Sequence, residues 1–179
     1  MRLIHAALAL LVATLAGTAN AAPRRIEITP ADSEVAFRAY KMGLLPLDGR
    51  FTRFNGWLTL DPADKASCRV ELHIEVASLD TEDRAAQPVV TGPQFMDAAS
   101  FPVLRFAGDC AGHDIAGVLA MHGVSRPFTL SLDWRPDAVI AEGHIVRADW
   151  GITAMPVLVG RTVRIRVSVP LPRQSSHRE

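Results

Sequence analysis

Residues 69–76 read Arg-Val-Glu-Leu-His-Ile-Glu-Val and alternate polar with apolar side chains without a break. In an extended chain, successive side chains point to opposite faces, so Val70, Leu72 and Ile74 share one face. A period of two is typical of a strand that is buried on one side and hydrated on the other. The pattern therefore predicts a β-strand over residues 69–79.

The same period recurs along most of the chain. Seven further segments show it, at residues 35–39, 51–60, 103–107, 115–121, 128–134, 139–150 and 162–169. Turn-forming residues separate these segments, and a slip of phase at Asn55-Gly56 predicts a bulge or bend. About eight antiparallel strands favour an all-β fold, either a closed barrel or a sandwich.

The polar faces of these segments carry dense charge of both signs, as in Arg69, Glu71 and Arg166. A barrel embedded in an outer membrane needs the reverse arrangement, an apolar exterior bordered by aromatic girdles. The chain has a single Tyr. We therefore expect the apolar faces to point inward, where an eight-stranded barrel is filled by its side chains or holds one small ligand.

One connection, over residues 80–101, is longer than the others. It contains Gly92-Pro93, and we predict a short helix at residues 95–99. A connection of this length in a compact domain usually packs as a flap or serves function.

The composition excludes several classes of protein. The 179 residues include 19 basic and 19 acidic side chains and are 49% hydrophobic, which argues against a disordered chain or a dedicated nucleic-acid binder. The length suits one domain.

The first 21 residues have the features of a cleaved signal peptide. Arg2 is followed by an apolar run at residues 6–16 and then by Ala19-Asn20-Ala21, an A-x-A cleavage site. The run is shorter than the roughly 20 apolar residues that span a bilayer. We predict cleavage after Ala21, a β-domain at residues 22–172, a loose polar tail at residues 173–179, and a location in the bacterial periplasm.

The two cysteines fall on neighbouring predicted strands. If these strands pair antiparallel, facing residues have a nearly constant sum of numbers, which brings Cys68 and Cys110 together at one end of the sheet. In an oxidising compartment this proximity predicts a disulfide. The alternative is two free buried thiols.

No catalytic motif is present, and four histidines, His73, His113, His122 and His144, are scattered over different strands and turns. We therefore predict no catalytic residues, no metal site and no resident cofactor. Arg147 and Asp149 stand before Trp150-Gly151 and form either a buried polar anchor or an ordinary surface pair.

Taken together, several short motifs resemble the YceI-like family of periplasmic proteins over residues 26–171. They are Ser33-Glu34-Val35-Ala36-Phe37, Gly49-Arg50-Phe51 with Phe54-Asn55-Gly56-Trp57, Ser78-Leu79-Asp80-Thr81, Phe95-Met96-Asp97 with Phe101-Pro102 and Phe106, Gly117-Val118-Leu119 with His122-Gly123-Val124-Ser125, and Arg147-Ala148-Asp149-Trp150-Gly151-Ile152.

The resemblance implies an eight-stranded antiparallel lipocalin-like barrel with a short helical insertion and an apolar channel. It also implies a non-enzymatic carrier of a hydrophobic ligand, an isoprenoid such as a polyprenyl or quinone-type lipid or a similar amphiphile. The residues expected to line the channel, or otherwise to pack a plain core, are Val35, Phe37, Phe51, Leu72, Ile74, Phe106, Leu119, Leu130, Ile145 and Ile165.

Two other functions stay open at this point. One is a structural or interaction barrel with a filled core, and the other is a lipid-modifying lipocalin-like enzyme. The partner hypotheses are a hydrophobic small molecule, no nucleic acid, transient contact with a membrane redox or lipid-handling protein, and a homodimer.

Overall fold

The computed structural model describes residues 22–61, 64 and 67–171. The predicted signal peptide, and the tail at residues 173–179, lie outside this part of the chain. Within it, eleven strands form one antiparallel sheet. They are β1 (Arg24–Ile28), β2 (Glu34–Lys41), β3 (Leu45–Phe51), β4 (Phe54–Leu60), β5 (Cys68–Glu75), β6 (Leu79–Thr81), β7 (Val103–Ala111), β8 (Asp114–Met121), β9 (Val124–Trp134), β10 (Ala138–Val146) and β11 (Thr162–Pro170).

The predicted alternation matches the burial of side chains. In β5, Val70, Leu72 and Ile74 are buried, while Arg69 and Glu75 are exposed. The apolar faces of the other strands meet these residues in one hydrophobic core. The apolar sides therefore point inward, as predicted.

The sheet has eleven strands rather than the predicted eight because two long strands are each divided by a short break. Two residues separate β3 from β4, and a 3-10 turn at Val76–Ser78 separates β5 from β6. Since β3 pairs with β2 and β6, while β4 pairs with β1 and β5, each divided pair acts as one bent strand. Counted in this way, β2 to β11 form a circuit of eight, closed by the pairing of β11 with β2. Strand β1 is an addition that the alternation pattern missed.

The bend in the long strand lies at Thr52 and Arg53, not at Asn55-Gly56 as predicted. The register of β4 with β5 runs unbroken through Gly56, opposite Leu72. At the real bend, the Thr52 amide donates to the Ser78 carbonyl (3.1 Å). Gly56 breaks the apolar pattern for another reason: a Cβ atom there would overlap the carbonyl oxygen of Glu71 across the sheet.

The helix of the long connection, α1, spans Ala86–Thr91, so the prediction of a helix at residues 95–99 is wrong. Pro88 falls in the first turn of α1, where its missing N–H costs no hydrogen bond. Asp97 has a φ of +43°, in the left-handed region, which a continuing helix does not allow.

Cys68 and Cys110 form the predicted disulfide, with their Cα atoms 4.9 Å apart. The cause is the predicted antiparallel register of β5 with β7. The numbers of facing residues always add up to 178, from Arg69 with Asp109 to Glu75 with Val103, and so do those of the two cysteines. The disulfide ties two neighbouring strands together at one end of the barrel.

Candidate functional site

The barrel encloses an apolar cavity of about 500 Å³. This volume lies within the range of small-molecule sites, roughly 300–1,000 Å³. All ten residues expected to line a channel lie in its wall, namely Val35, Phe37, Phe51, Leu72, Ile74, Phe106, Leu119, Leu130, Ile145 and Ile165. They come from eight of the strands, so only the curled sheet brings them together. That they bind a ligand stays a prediction.

The two ends of the barrel differ in packing. A floor of four buried side chains separates the cavity from a second void of only about 30 Å³. These side chains are Leu72, Phe106, Leu130 and Val167. Below them Ile28, Leu58 and the disulfide fill the barrel. The end with the disulfide is therefore closed, and the cavity opens toward the other end.

The flap predicted for the long connection covers part of the open end. Val89 and Val90 of α1, and Phe95 and Met96 after it, contribute to the cavity wall. Phe95 is buried, whereas Val89 is exposed. The flap therefore forms part of the cavity wall at Phe95 and borders the opening at Val89. Alternation could not identify these residues because they are not in strands, although the length of the connection signalled a covering segment.

A salt bridge between Lys41 and Asp83 stands at the mouth, with 2.9 Å between Nζ and Oδ2. Both side chains remain well exposed. The hydrogen bond from Lys41 and its positive charge lower the pKa of the Asp83 carboxyl below its ordinary value. The pair links β2 to the turn before α1 and so fixes the flap against the barrel.

Arg147 is a buried polar anchor, and it does not pair with Asp149. Its side chain is 6% exposed, whereas Asp149 lies at the surface. The guanidinium donates to the carbonyls of Ile152 (2.9 Å), Val159 (3.1 Å) and Gly160 (3.0 Å). Burial lowers the pKa of this guanidinium, which still stays protonated at neutral pH. Arg147 thus holds the loop at residues 152–160 against the cavity wall.

The rest of the Arg147 to Ile152 motif forms one side of the barrel interior. The Trp150 indole N–H donates to the carbonyl of Leu119 (3.2 Å), and its ring meets Phe128 edge to face. Gly151 ends the turn at a φ of +76°, a conformation that favours glycine. His122 Nδ1 lies 3.0 Å from the Trp150 carbonyl oxygen and forms a structural hydrogen bond with it.

The chemistry of the wall is dominated by aliphatic and aromatic carbon. Among the described residues that form it, the ionisable ones are Lys41 and Asp83 at the mouth and the buried Arg147. The described part of the chain contains no group of three or more His, Cys, Asp or Glu residues placed to hold a metal ion. None of its helices has the length and apolarity required to cross a bilayer. The arrangement suits the enclosure of an apolar molecule.

A family model for the YceI-like domain matches residues 27–171. The chain belongs to the YceI-like family. It is 34% identical over 134 residues to a UPF0312 protein of Enterobacter sp. (strain 638), a match that covers 72% of this chain and 69% of that one. A UPF0312 protein of Yersinia pestis is 31% identical over 122 residues, covering 64% of this chain and 62% of its own length.

Solved structures share the fold of this YceI-like chain. BcnA of Burkholderia cenocepacia aligns with a TM-score of 0.68 at 21% identity, covering 81% of this chain and 99% of that one. A polyisoprenoid binding domain from Saccharophagus degradans aligns at 0.56 and 15% identity, covering 82% and 98%. The Campylobacter jejuni YceI protein aligns at 0.56 and 19%, covering 70% and 85%. At these identities the likeness shows the fold, and it supports the predicted lipocalin-like architecture.

Proposed function

We propose that this protein is a periplasmic carrier that holds an isoprenoid, of polyprenyl or quinone type, or a similar amphiphilic lipid in its barrel. The observation that carries the proposal is the cavity of about 500 Å³ with an almost wholly apolar wall. Family membership supports binding rather than catalysis, and one protein of the same fold is a polyisoprenoid binding domain. The signal-peptide pattern at residues 1–21 supports the location.

The energetics of such a carrier rest on burial alone. Each buried methylene contributes about 0.8 kcal/mol, so an isoprene unit of five carbons contributes about 4 kcal/mol. Association costs about 4–15 kcal/mol, depending on how the lost freedom is estimated. A chain of several units therefore offsets this cost without a specific polar contact. The polar head of the ligand would remain at the mouth, near Lys41 and Asp83.

The other two functions have weaker support. A barrel with a filled core does not account for a cavity of this volume above the packed floor. A lipid-modifying enzyme needs a buried acid or base that faces the ligand. In the described wall the buried ionisable group is Arg147, whose guanidinium is occupied by backbone carbonyls and does not release a proton near neutral pH.

Native mass spectrometry of the protein purified from the periplasm of its own organism tests the proposal. We expect a bound species that organic extraction identifies as a lipid with isoprene-unit spacing. The mass of the polypeptide in the same spectrum shows whether cleavage follows Ala21. Protein that is empty, and that also fails to take up added polyprenol or quinone, would refute the carrier function.

A further inference from the structure

Large exposed hydrophobic side chains concentrate at the mouth of the cavity. Six of them lie on two segments, which we call the rim loops: residues 42–47, which include the start of β3, and residues 152–160. One of the six, Met155, is 41% exposed. Leu44 and Val157 are 84% and 86% exposed, and Met42, Leu45 and Leu158 are more than half exposed. Of the other large exposed apolar residues in the described chain, Val89 lies on α1 at the mouth, whereas Val118 and Val146 stand singly on strands. Single exposed apolar residues are ordinary, but a cluster marks an interaction surface.

The rim loops are held together as one structure. The Met42 amide donates to the Leu158 carbonyl (2.8 Å), and the Gly160 amide donates to the Tyr40 carbonyl (2.8 Å). Lys41 and Val159 add an isolated β-bridge. The buried guanidinium of Arg147 fixes the second loop from below, as described above. The exposed side chains are therefore presented in a defined arrangement.

The rim loops have no charged residue, and a basic residue borders each of them. Lys41, whose ammonium group pairs with Asp83, stands immediately before the first loop, and the exposed Arg161 stands immediately after the second. Tyr40, the single tyrosine of the chain, lies at the same border and is 40% exposed. Apolar tips flanked by Lys, Arg and Tyr are typical of segments that enter the boundary between lipid headgroups and acyl chains.

The cavity opens within this surface. Met42 and Leu158 belong both to the rim loops and to the cavity wall, so a ligand that leaves the cavity passes beside the joined loops. An isoprenoid chain is nearly insoluble in water, and its reservoir is a bilayer. The apolar tips and their basic borders fit the acyl chains and phosphates of such a bilayer.

We propose that the rim loops dock the mouth of the cavity onto a phospholipid bilayer, so that the ligand is exchanged without crossing water. The reason for docking rests on the proposed function, but the docking surface itself does not. Leu44 and Val157 project from the rim and are not part of the cavity wall. Substitutions there therefore separate docking from ligand binding.

The experiment measures flotation of the mature chain with vesicles of phosphatidylethanolamine and phosphatidylglycerol at about 3:1. We expect the wild type to float and the double variant Leu44→Ser/Val157→Ser to bind at least about tenfold more weakly, because two side chains that enter the lipid are removed. The matched control is Val118→Ser, an exposed valine on β8 outside the rim, which should float like the wild type. The rate of transfer of a fluorescent isoprenoid to vesicles should fall with flotation in the double variant, while its uptake from solution stays within about twofold.

Three results would overturn the docking proposal. In the first, the wild type does not float with the vesicles. In the second, the double variant floats as well as Val118→Ser. In the third, the wild type sediments as a dimer and the double variant sediments as a monomer. The last result would assign the rim loops to a second copy of the chain. By contrast, normal flotation without uptake of any isoprenoid would refute the proposed function and leave the docking surface in place.

Discussion

The two ends of this barrel are built from the same kind of strand and differ in what fills them. At the closed end, Ile28 and Val169 are almost fully buried, and a disulfide joins β5 to β7. At the open end, Val163 and Ile165 of the same strand as Val169 are only half-buried and face the cavity. Stability is therefore concentrated at the closed end, and binding capacity at the open end. The comparison makes four predictions.

The largest effect is expected from removal of the disulfide by the double substitution Cys68→Ser/Cys110→Ser. The cysteines are separated by 42 residues, and closing a loop of this length stabilises the fold by about 4 kcal/mol in the chain-entropy treatment. Urea unfolding should show this loss in the free energy of unfolding. Uptake of an isoprenoid by the folded variant should not change. If the free energy of unfolding fell by less than about 1 kcal/mol, the disulfide would not be a main source of stability at the closed end.

The next effect compares two isoleucines. Ile28→Ala should lower the free energy of unfolding by about 2–5 kcal/mol, because the packed closed end leaves a new void. Ile165→Ala should cost about 1 kcal/mol or less, since the side chain already borders empty space. Denaturant midpoints of the two variants, measured side by side, test the difference. Equal losses would show that the cavity is packed in solution.

A substitution that fills the cavity should affect binding more than stability. Ile165→Trp places a larger ring in the existing space, so we expect isoprenoid affinity to fall at least about tenfold, or about 1.4 kcal/mol. Fluorescence titration with a labelled isoprenoid measures the change. Val118→Trp, at an exposed site, is the control for the added ring. Unchanged affinity in Ile165→Trp would place the ligand elsewhere.

The smallest effect concerns pH and the Lys41–Asp83 pair at the mouth. Lys41 lowers the pKa of Asp83 below its ordinary value of 3.8. A depressed pKa means that the pair contributes stability above about pH 4, and that this contribution is lost as the pH falls through the lower folded-state pKa. Carboxyl NMR titration should find the depressed pKa of Asp83 in the wild type and a pKa closer to the ordinary value in Lys41→Gln, in which the backbone amides of Ala85 and Ala86 still hydrogen-bond the carboxylate. Because both side chains are exposed, the unfolding midpoint at neutral pH should barely differ.

The accuracy of the sequence reading varied with the kind of signal. Strand positions were predictable because burial on one side imposes a period of two, and the disulfide followed from the register of an antiparallel pair. The helix was placed several residues too late, because Pro88 and Gly92-Pro93 look alike as helix breakers until the first turn is located. The bend was predicted at the wrong place because the apolar pattern slips at Gly56. That glycine is required by the close approach of the neighbouring strand and does not mark a bend.

The rim loops and Arg147 illustrate a different limit. Residues 152–160 have no period and no charge, so local sequence cannot say whether they pack inside or project. Their exposure depends on hydrogen bonds to Arg147 and to Tyr40 and Met42, and the last two are more than a hundred residues away in the chain. Only the folded barrel brings these groups to one end.

By itself, the sequence determined the all-β class, the inward direction of the apolar faces and the disulfide pair, and it predicted ten residues as either channel lining or plain core. These features depend on alternation and on antiparallel register, which act between neighbouring residues and neighbouring strands. Whether the interior is filled or hollow was decided only by the tertiary structure. Ile28 and Ile165 alternate in the same way along their strands, yet one is packed and the other faces a cavity. The difference arises because packing depends on the volume that all strands together enclose, and no single strand encodes that volume.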